Sequence, residues 1–265
     1  MRLTGTLPFH GGEPRDRATS IAVLRRAVEL GVDHIDTAAF YFSRLRSANE
    51  LINAALSPYP DDLTIVTKVG PARDALGRWA DRPGPEELRG QVEENLRQLG
   101  RDRLDVVNFR VGDEPDVAPY VAALAELVTE GLVGHVGISA VTLQQLDAAR
   151  AVTEIVCVHN RLSVDSGDDL AVLRRCGELG IAFVPFFTVS GAGRQGGPAE
   201  EPAAVLAVAD ELDGTPAQVR IAWTLALGDH VLAIPGTGSV GHVEENVAAG
   251  ALRLTDEQVD RLTAA

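Results

Sequence analysis

Short apolar runs rich in β-branched residues alternate along this chain with segments whose apolar side chains return every three or four positions, and no long linker interrupts them. The runs predict strands at 2–7, 34–36, 63–68, 104–110, 133–138, 155–159, 182–186 and 231–234. The periodic segments predict helices at 16–30, 48–56, 86–99, 117–130, 143–151, 168–179 and 216–227, and several end in a glycine suited to a left-handed cap, as at Leu99-Gly100. Such alternation implies a parallel sheet. Eight strands with right-handed helical crossovers close into a barrel more readily than they spread as an open sheet. The expected fold is therefore α/β, a single-domain, eight-stranded parallel β/α (TIM) barrel over residues 1–265. A doubly wound open sheet is the alternative.

Two stretches break the rhythm: the glycine-rich segment 190–198 after the seventh expected strand, and extra C-terminal helices near 240–249 and 256–262. In a barrel the loops after strands seven and eight commonly form a phosphate site with the start of a short extra helix. The chain has no Walker A sequence, and no GxGxxG between a first strand and helix, so a nucleotide would bind barrel-fashion.

Composition narrows the function classes. A net charge of −14 repels nucleic acid and anionic membrane over most of the surface, leaving small molecules as the expected partners. No apolar run approaches the ~20 residues of a spanning helix. Residues 1–16 lack the apolar core of a signal peptide, and Cys157 and Cys176 read as buried thiols, so the expected compartment is the cytoplasm. No metal site is expected. Lys and Arg total 24, yet Lys68 is the single lysine. Where Arg serves elsewhere, one Lys suggests a task needing a compact ammonium.

Functional groups of a barrel enzyme project from the C-terminal ends of strands. Asp36, Lys68 and Arg110 end the second, third and fourth expected strands, and Tyr41 lies five residues beyond Asp36. Each has a plainer reading. Asp36 can cap a turn, Tyr41 can be a packing aromatic, Lys68 a solvated strand end, and Arg110 a surface charge facing Asp113 and Glu114. Together they supply what carbonyl reduction needs: an acid for the oxygen that gains negative charge, an ammonium that stabilises its phenolate, and a carboxylate that holds the ammonium.

The segment 31–41, GVDHIDTAAFY, with Glu50 beyond it, resembles the signature of the aldo-keto reductase family around its catalytic Asp and Tyr. TKVG at 67–70, GLVGHVGIS at 131–139 and IPGT at 234–237 with Glu245-Asn246 resemble further motifs of that family, in order over nearly the whole chain. The resemblance implies an NADPH-dependent reduction of an aldehyde or ketone, with Tyr41 as general acid, Lys68 as its tuner and Asp36 as the partner of the lysine, and it slightly favours a monomer. The pyridoxal-reductase-like branch shares the Asp-Val-Val-Asn-x-Arg form of strand four. Arg110 stands where the family usually has His. Either it polarises the carbonyl and favours polar or anionic substrates, or it turns to an acidic neighbour and Asn108 takes the polarising role. The resemblance further places Ser139 and His159 near the nicotinamide carboxamide, Phe186 stacked on its ring, and Val189 and Gly191 along the pyrophosphate. By the same resemblance Gly236, Thr237, Gly238, Ser239 and His242 would form the 2′-phosphate pocket, with Glu245 and Asn246 reaching adenine. Gly236 and His242 replace the Lys and Arg of other members, which reduces the charge available to prefer NADPH. Two other readings stay open: a nicotinamide-binding redox-sensing subunit with slow turnover, and a barrel enzyme in which Lys68 forms a Schiff base.

Overall fold

A computed structural model describes residues 3–5, 13–74, 76–167, 169–189 and 200–264. Six parallel strands form one sheet: β1 (His34–Asp36), β2 (Thr64–Val69), β3 (Leu104–Arg110), β4 (Val133–Ser139), β5 (Ile155–His159) and β6 (Ala182–Phe183). Their hydrogen-bonded order is their order in sequence. A doubly wound sheet reverses its order at a switch point, so the alternative fails for these strands. The helices are α1 (Arg17–Glu29), α2 (Ala48–Leu56), α3 (Leu88–Leu99), α4 (Ala118–Thr129), α5 (Leu143–Arg150), α6 (Leu170–Leu179), α7 (Ala203–Glu211), α8 (Pro216–Ala226), α9 (Val240–Ala248) and α10 (Asp256–Thr263).

Local signals fix the helix ends. The Asp16 carboxylate accepts from Thr19 N to start α1, and Ser47 with Glu50 forms a reciprocal capping box at α2. Gly100 and Gly180, at φ 64° and 67°, close α3 and α6 in the left-handed region. Helix α7 was not expected. Its buried Val205, Val208 and Ala209 keep helical spacing, but the preceding Gly/Pro-rich stretch masks the signal.

The expectation of eight paired strands is not met among the described residues. Of the first expected strand only residues 3–5 are described, and Gly5 makes an isolated antiparallel bridge to Pro14. The last shrinks to one parallel bridge, Phe183 to Val231, with Leu232 N donating to Phe183 O at 3.0 Å. A proline explains the truncation: the next donor to this neighbour would be residue 185, and Pro185 has no N–H to carry the ladder onward on that side. On the other side of the same segment, Val184 N and Phe186 N still donate to Val158 O and Asn160 O of the β5 side.

A large apolar core fills the space between sheet and helices, and a smaller cluster of Val66, Val106, Cys157 and Val184 lies apart from it. Alternation along a strand puts the neighbours of Asp36 and Lys68, namely Thr37 and Thr67, on the helix side. There a buried polar chain anchors both. Thr37 Oγ1 donates to Asn49 Oδ1 of α2 at 2.8 Å, Asn49 Nδ2 to Asn95 Oδ1 of α3 at 2.9 Å, and Thr67 Oγ1 to the same Asn95 Oδ1 at 2.5 Å. All four side chains are fully buried, so every group lost leaves another without a partner. Asn95→Leu should therefore lower unfolding free energy by roughly 1–3 kcal/mol, read by urea denaturation, because it strands Thr67 and Asn49. A loss under a few tenths would show that water or rotation satisfies them instead.

Candidate active site

Asp36 and Lys68 leave adjacent strands with their side chains on one face, held by the register that pairs Asp36 with Val66 and Lys68 with Asn108. Lys68 Nζ donates to Asp36 Oδ1 and Oδ2 at 2.5 and 2.6 Å and to Thr37 O at 3.1 Å. That uses the three N–H groups of the ammonium. The pair is nearly dry, with side chains 5% and 8% exposed. Burial is the largest single influence on the Asp36 carboxyl and pushes it upward, but the Lys68 charge and hydrogen bond, with His159, together hold the group below the usual carboxylate range. Nζ also lies 5.5 Å from the centroid of the Tyr41 ring, so the chain's one ammonium and the phenol share a mouth. The Tyr41 backbone is fixed on both sides, its N–H donating to Ala38 O at 3.0 Å and its carbonyl accepting from Ala48 N at 2.8 Å.

A second buried chain reaches Asp36 from across the sheet. Cys157 Sγ donates to Asn108 Oδ1 at 3.3 Å, and Asn108 Nδ2 approaches His159 Nε2 at 3.2 Å. The amide nitrogen only donates, which assigns Nε2 as acceptor and puts the ring proton on Nδ1. Nδ1 faces Asp36 Oδ2 at 3.5 Å, an ion-pair distance without hydrogen-bond geometry. Burial pushes the His159 pKa down to about 3, so the ring is neutral near pH 7, and burial raises the Cys157 thiol to about 12.

Arg110 Nη1 donates to Ser139 Oγ at 3.1 Å, and its guanidinium sits 4.7 Å from the Phe186 ring centroid. Asp113 pairs instead with Arg82, at 3.7 Å. Ala140 and Phe187, at φ 60° and 69°, hold left-handed backbone beside this mouth, a strain of roughly 1–3 kcal/mol each.

A cavity of about 650 Å³ opens on these groups and runs between β1 and the segment 233–237. Asp36, Tyr41, Lys68 and Arg110 line it, as do Phe186, Val189, Gly236, Thr237 and Asn246. Of the other expected positions, Ser139 is buried beside Arg110, and His159 lies among Asn108 and Asp36, off the cavity wall. Gly238 and Ser239 lead into α9, and His242 and Glu245 lie on it, all beyond that wall, with Thr237 Oγ1 at 3.5 Å from His242 Nδ1. Gly191 falls outside the described residues. A concave space joining a phenol, an aromatic platform and a loop before a helix fits a dinucleotide. Sequence reasoning missed His34, Phe187 and Thr188 on the wall and the Asn49–Asn95 anchor behind it. The one sequence signal for the anchor was an Asn at an apolar-face position of each helix.

Among the described residues no three His, Cys, Asp or Glu side chains are placed to hold a metal ion, and no helix is long and apolar enough to cross a membrane. Residues 3–265 match the model of the aldo/keto reductase family. The chain belongs to that family. Across the family it is 43% identical to pyridoxine 4-dehydrogenase of Escherichia coli, over 99% of this chain and 91% of that one. A thermostable aldo-keto reductase crystallised with the inhibitor epalrestat superposes with a TM-score of 0.81 at 26% identity, covering 98% of this chain and 93% of the other. An aldo/keto reductase from Klebsiella pneumoniae in complex with NADP and acetate gives 0.78 at 25% identity, covering 94% and 85%. The chain is thus an oxidoreductase of the aldo/keto reductase type.

The depressed His159 pKa carries a stability consequence. Its folded value of about 3 lies below the ordinary 6.5, so between those limits the unfolded state binds the extra proton. Stability is kept above pH 6.5 and falls as pH drops toward 3, by about 1.4 kcal/mol per unit at most from this group. Denaturation at pH 6.5 and 4.5 should show that His159→Gln flattens the decline. An unchanged slope would place its origin elsewhere.

Proposed function

We propose that this chain interconverts an aldehyde or ketone and its alcohol with NADP(H), in the reducing direction with NADPH. The observation that carries this reading is the buried Lys68–Asp36 pair beneath Tyr41, on the same cavity as Phe186, Val189, Gly236, Thr237 and Asn246. The family and the NADP bound by the Klebsiella pneumoniae relative support the cofactor. Phe186 would face the nicotinamide, Val189 the pyrophosphate, and Thr237 with its neighbours the far phosphate. When bound, NADPH supplies the hydride to the carbonyl carbon.

Tyr41 gives its phenolic proton to the carbonyl oxygen as charge gathers there, and the product leaves as the alcohol. Lys68 lowers the cost of the phenolate left behind by placing a positive charge under the ring. Asp36 keeps that charge in place, and Thr37 O completes its coordination. With all three N–H groups engaged, Lys68 is an ammonium without a free lone pair, which disfavours the Schiff-base alternative. Closure of the sheet into an eight-stranded barrel belongs to the same reading, supported by the family relatives and by the Phe183–Val231 bridge.

For the substrate, the 43% identity to a pyridoxine 4-dehydrogenase favours a hydroxypyridine aldehyde of the pyridoxal type. Such a ring carries a phenolate oxygen near neutral pH. Arg110, oriented by Ser139 and backed by Phe186, supplies a fixed cation at the mouth to receive it.

The test is a panel of aldehydes and ketones including pyridoxal, followed as NADPH oxidation. Tyr41→Phe should lower kcat/KM about 10²–10⁴-fold for every substrate. Retention of wild-type turnover in that variant would refute the assignment of the acid. Arg110→Ala should lower kcat/KM for pyridoxal by about tenfold to a hundredfold more than for a neutral aromatic aldehyde. Equal losses for both would remove Arg110 from substrate selection.

A further inference from the structure

We infer that Arg15, a residue from the segment before α1, is the cation that recognises the 2′-phosphate of NADPH in this chain. The inference rests on the NADPH reading above and adds a residue that lies 223 positions from the loop it serves. The loop 236–239 and His242 offer hydroxyls and backbone N–H groups but no Lys or Arg of their own. A phosphate monoester carries close to two negative charges near neutral pH, and a chain with a net charge of −14 offers it no favourable background field. A local cation must come from elsewhere.

The fold brings one. Arg15 Nη1 donates to Gly238 O at 3.4 Å and Nε to Gly5 O at 3.3 Å. Its guanidinium packs directly on the loop: a Cβ at position 238 would fall 2.5 Å from Cζ and Nε, so the bare glycine allows this close approach. Both bonds are long and go to neutral carbonyls. They leave the charge uncompensated and three of the five N–H donors without a partner among the described residues. No carboxylate of the described residues lies within ion-pair distance of Arg15, whereas Arg26, close to α9, is tied to Glu244 at 2.8 Å.

The backbone that carries Arg15 is held from two sides. Its N–H donates to Thr4 O at 3.3 Å beside the Gly5–Pro14 bridge, and its carbonyl accepts from Arg46 Nη1 at 3.1 Å. Arg46 belongs to the loop that follows Tyr41. The guanidinium is therefore positioned next to Gly238, Thr237 and the start of α9 before any ligand arrives. A planar fork with three open donors matches the oxygens of a phosphate monoester. NADH, which has a hydroxyl at that ribose carbon, would gain little from it.

The experiment titrates the full-length protein with NADPH and with NADH, following cofactor fluorescence, for wild type, Arg15→Ala and Arg15→Lys, with thermal melts to check folding. Arg15→Ala should reduce the NADPH-over-NADH affinity ratio about tenfold to a hundredfold. Arg15→Lys, which keeps the charge and loses the fork, should keep part of the ratio. A wild type that binds both dinucleotides equally, a ratio unchanged in Arg15→Ala, or a Lys variant no better than the Ala variant would each overturn the assignment while leaving the reductase reading in place. A wild type that binds neither dinucleotide would instead defeat the proposed function itself.

Discussion

The contact between the Lys68 ammonium and the Asp36 carboxylate constrains everything around it. Removing two charges from water costs several kcal/mol per ion after relaxation, and mutual attraction offsets this only when geometry is good and the remaining donors are filled. Here they are, by both carboxylate oxygens and by Thr37 O. The two strands must then keep their register, since a slip by one residue would turn both side chains to the helix side. The Thr37–Asn49–Asn95–Thr67 chain opposes such a slip from behind, using the residues next to the pair on each strand.

The same pair sets the electrostatics of the mouth. Asp36 is a fixed negative charge wedged between Lys68 and the neutral ring of His159, and Asn108 fixes that ring in turn. A histidine this deeply buried stays uncharged, so Lys68 is the charged partner of the carboxylate, with its Nζ 5.5 Å from the Tyr41 ring centroid. Asn108 pairs in register with Lys68, and its side chain serves His159 and Cys157. That is a supporting position, away from the open mouth. Arg110, two residues on, takes the open side.

A strongly acidic chain that is to hold anionic molecules needs cations placed one by one. Arg110 stands at the chemical end of the cavity, stacked on Phe186, and Arg15 lies over the loop at its other end. Both guanidiniums are held by hydrogen bonds to uncharged oxygens, Ser139 Oγ for one and carbonyls for the other. The many surface arginines tied to Glu or Asp are held differently, by carboxylates.

The strand-helix alternation, the caps at Asp16 and Ser47, and the placement of Asp36, Lys68 and Arg110 at strand ends were legible in the sequence because each depends on local periodicity or on neighbours a few residues away. So were the motifs around Tyr41, Lys68 and Ile234 that mark the family. The count of paired strands was not, since Pro185 ends the ladder only where a particular neighbour would have accepted its missing N–H. Nor was the inward turn of His159, the Asn49–Asn95 anchor or the position of Arg15 against Gly238. These are contacts between residues tens to hundreds of positions apart, and a sequence carries no local trace of which distant group will fill a buried donor or approach a glycine. The chain's order of residues determined which chemistry is present; packing across the sheet decided which atoms meet.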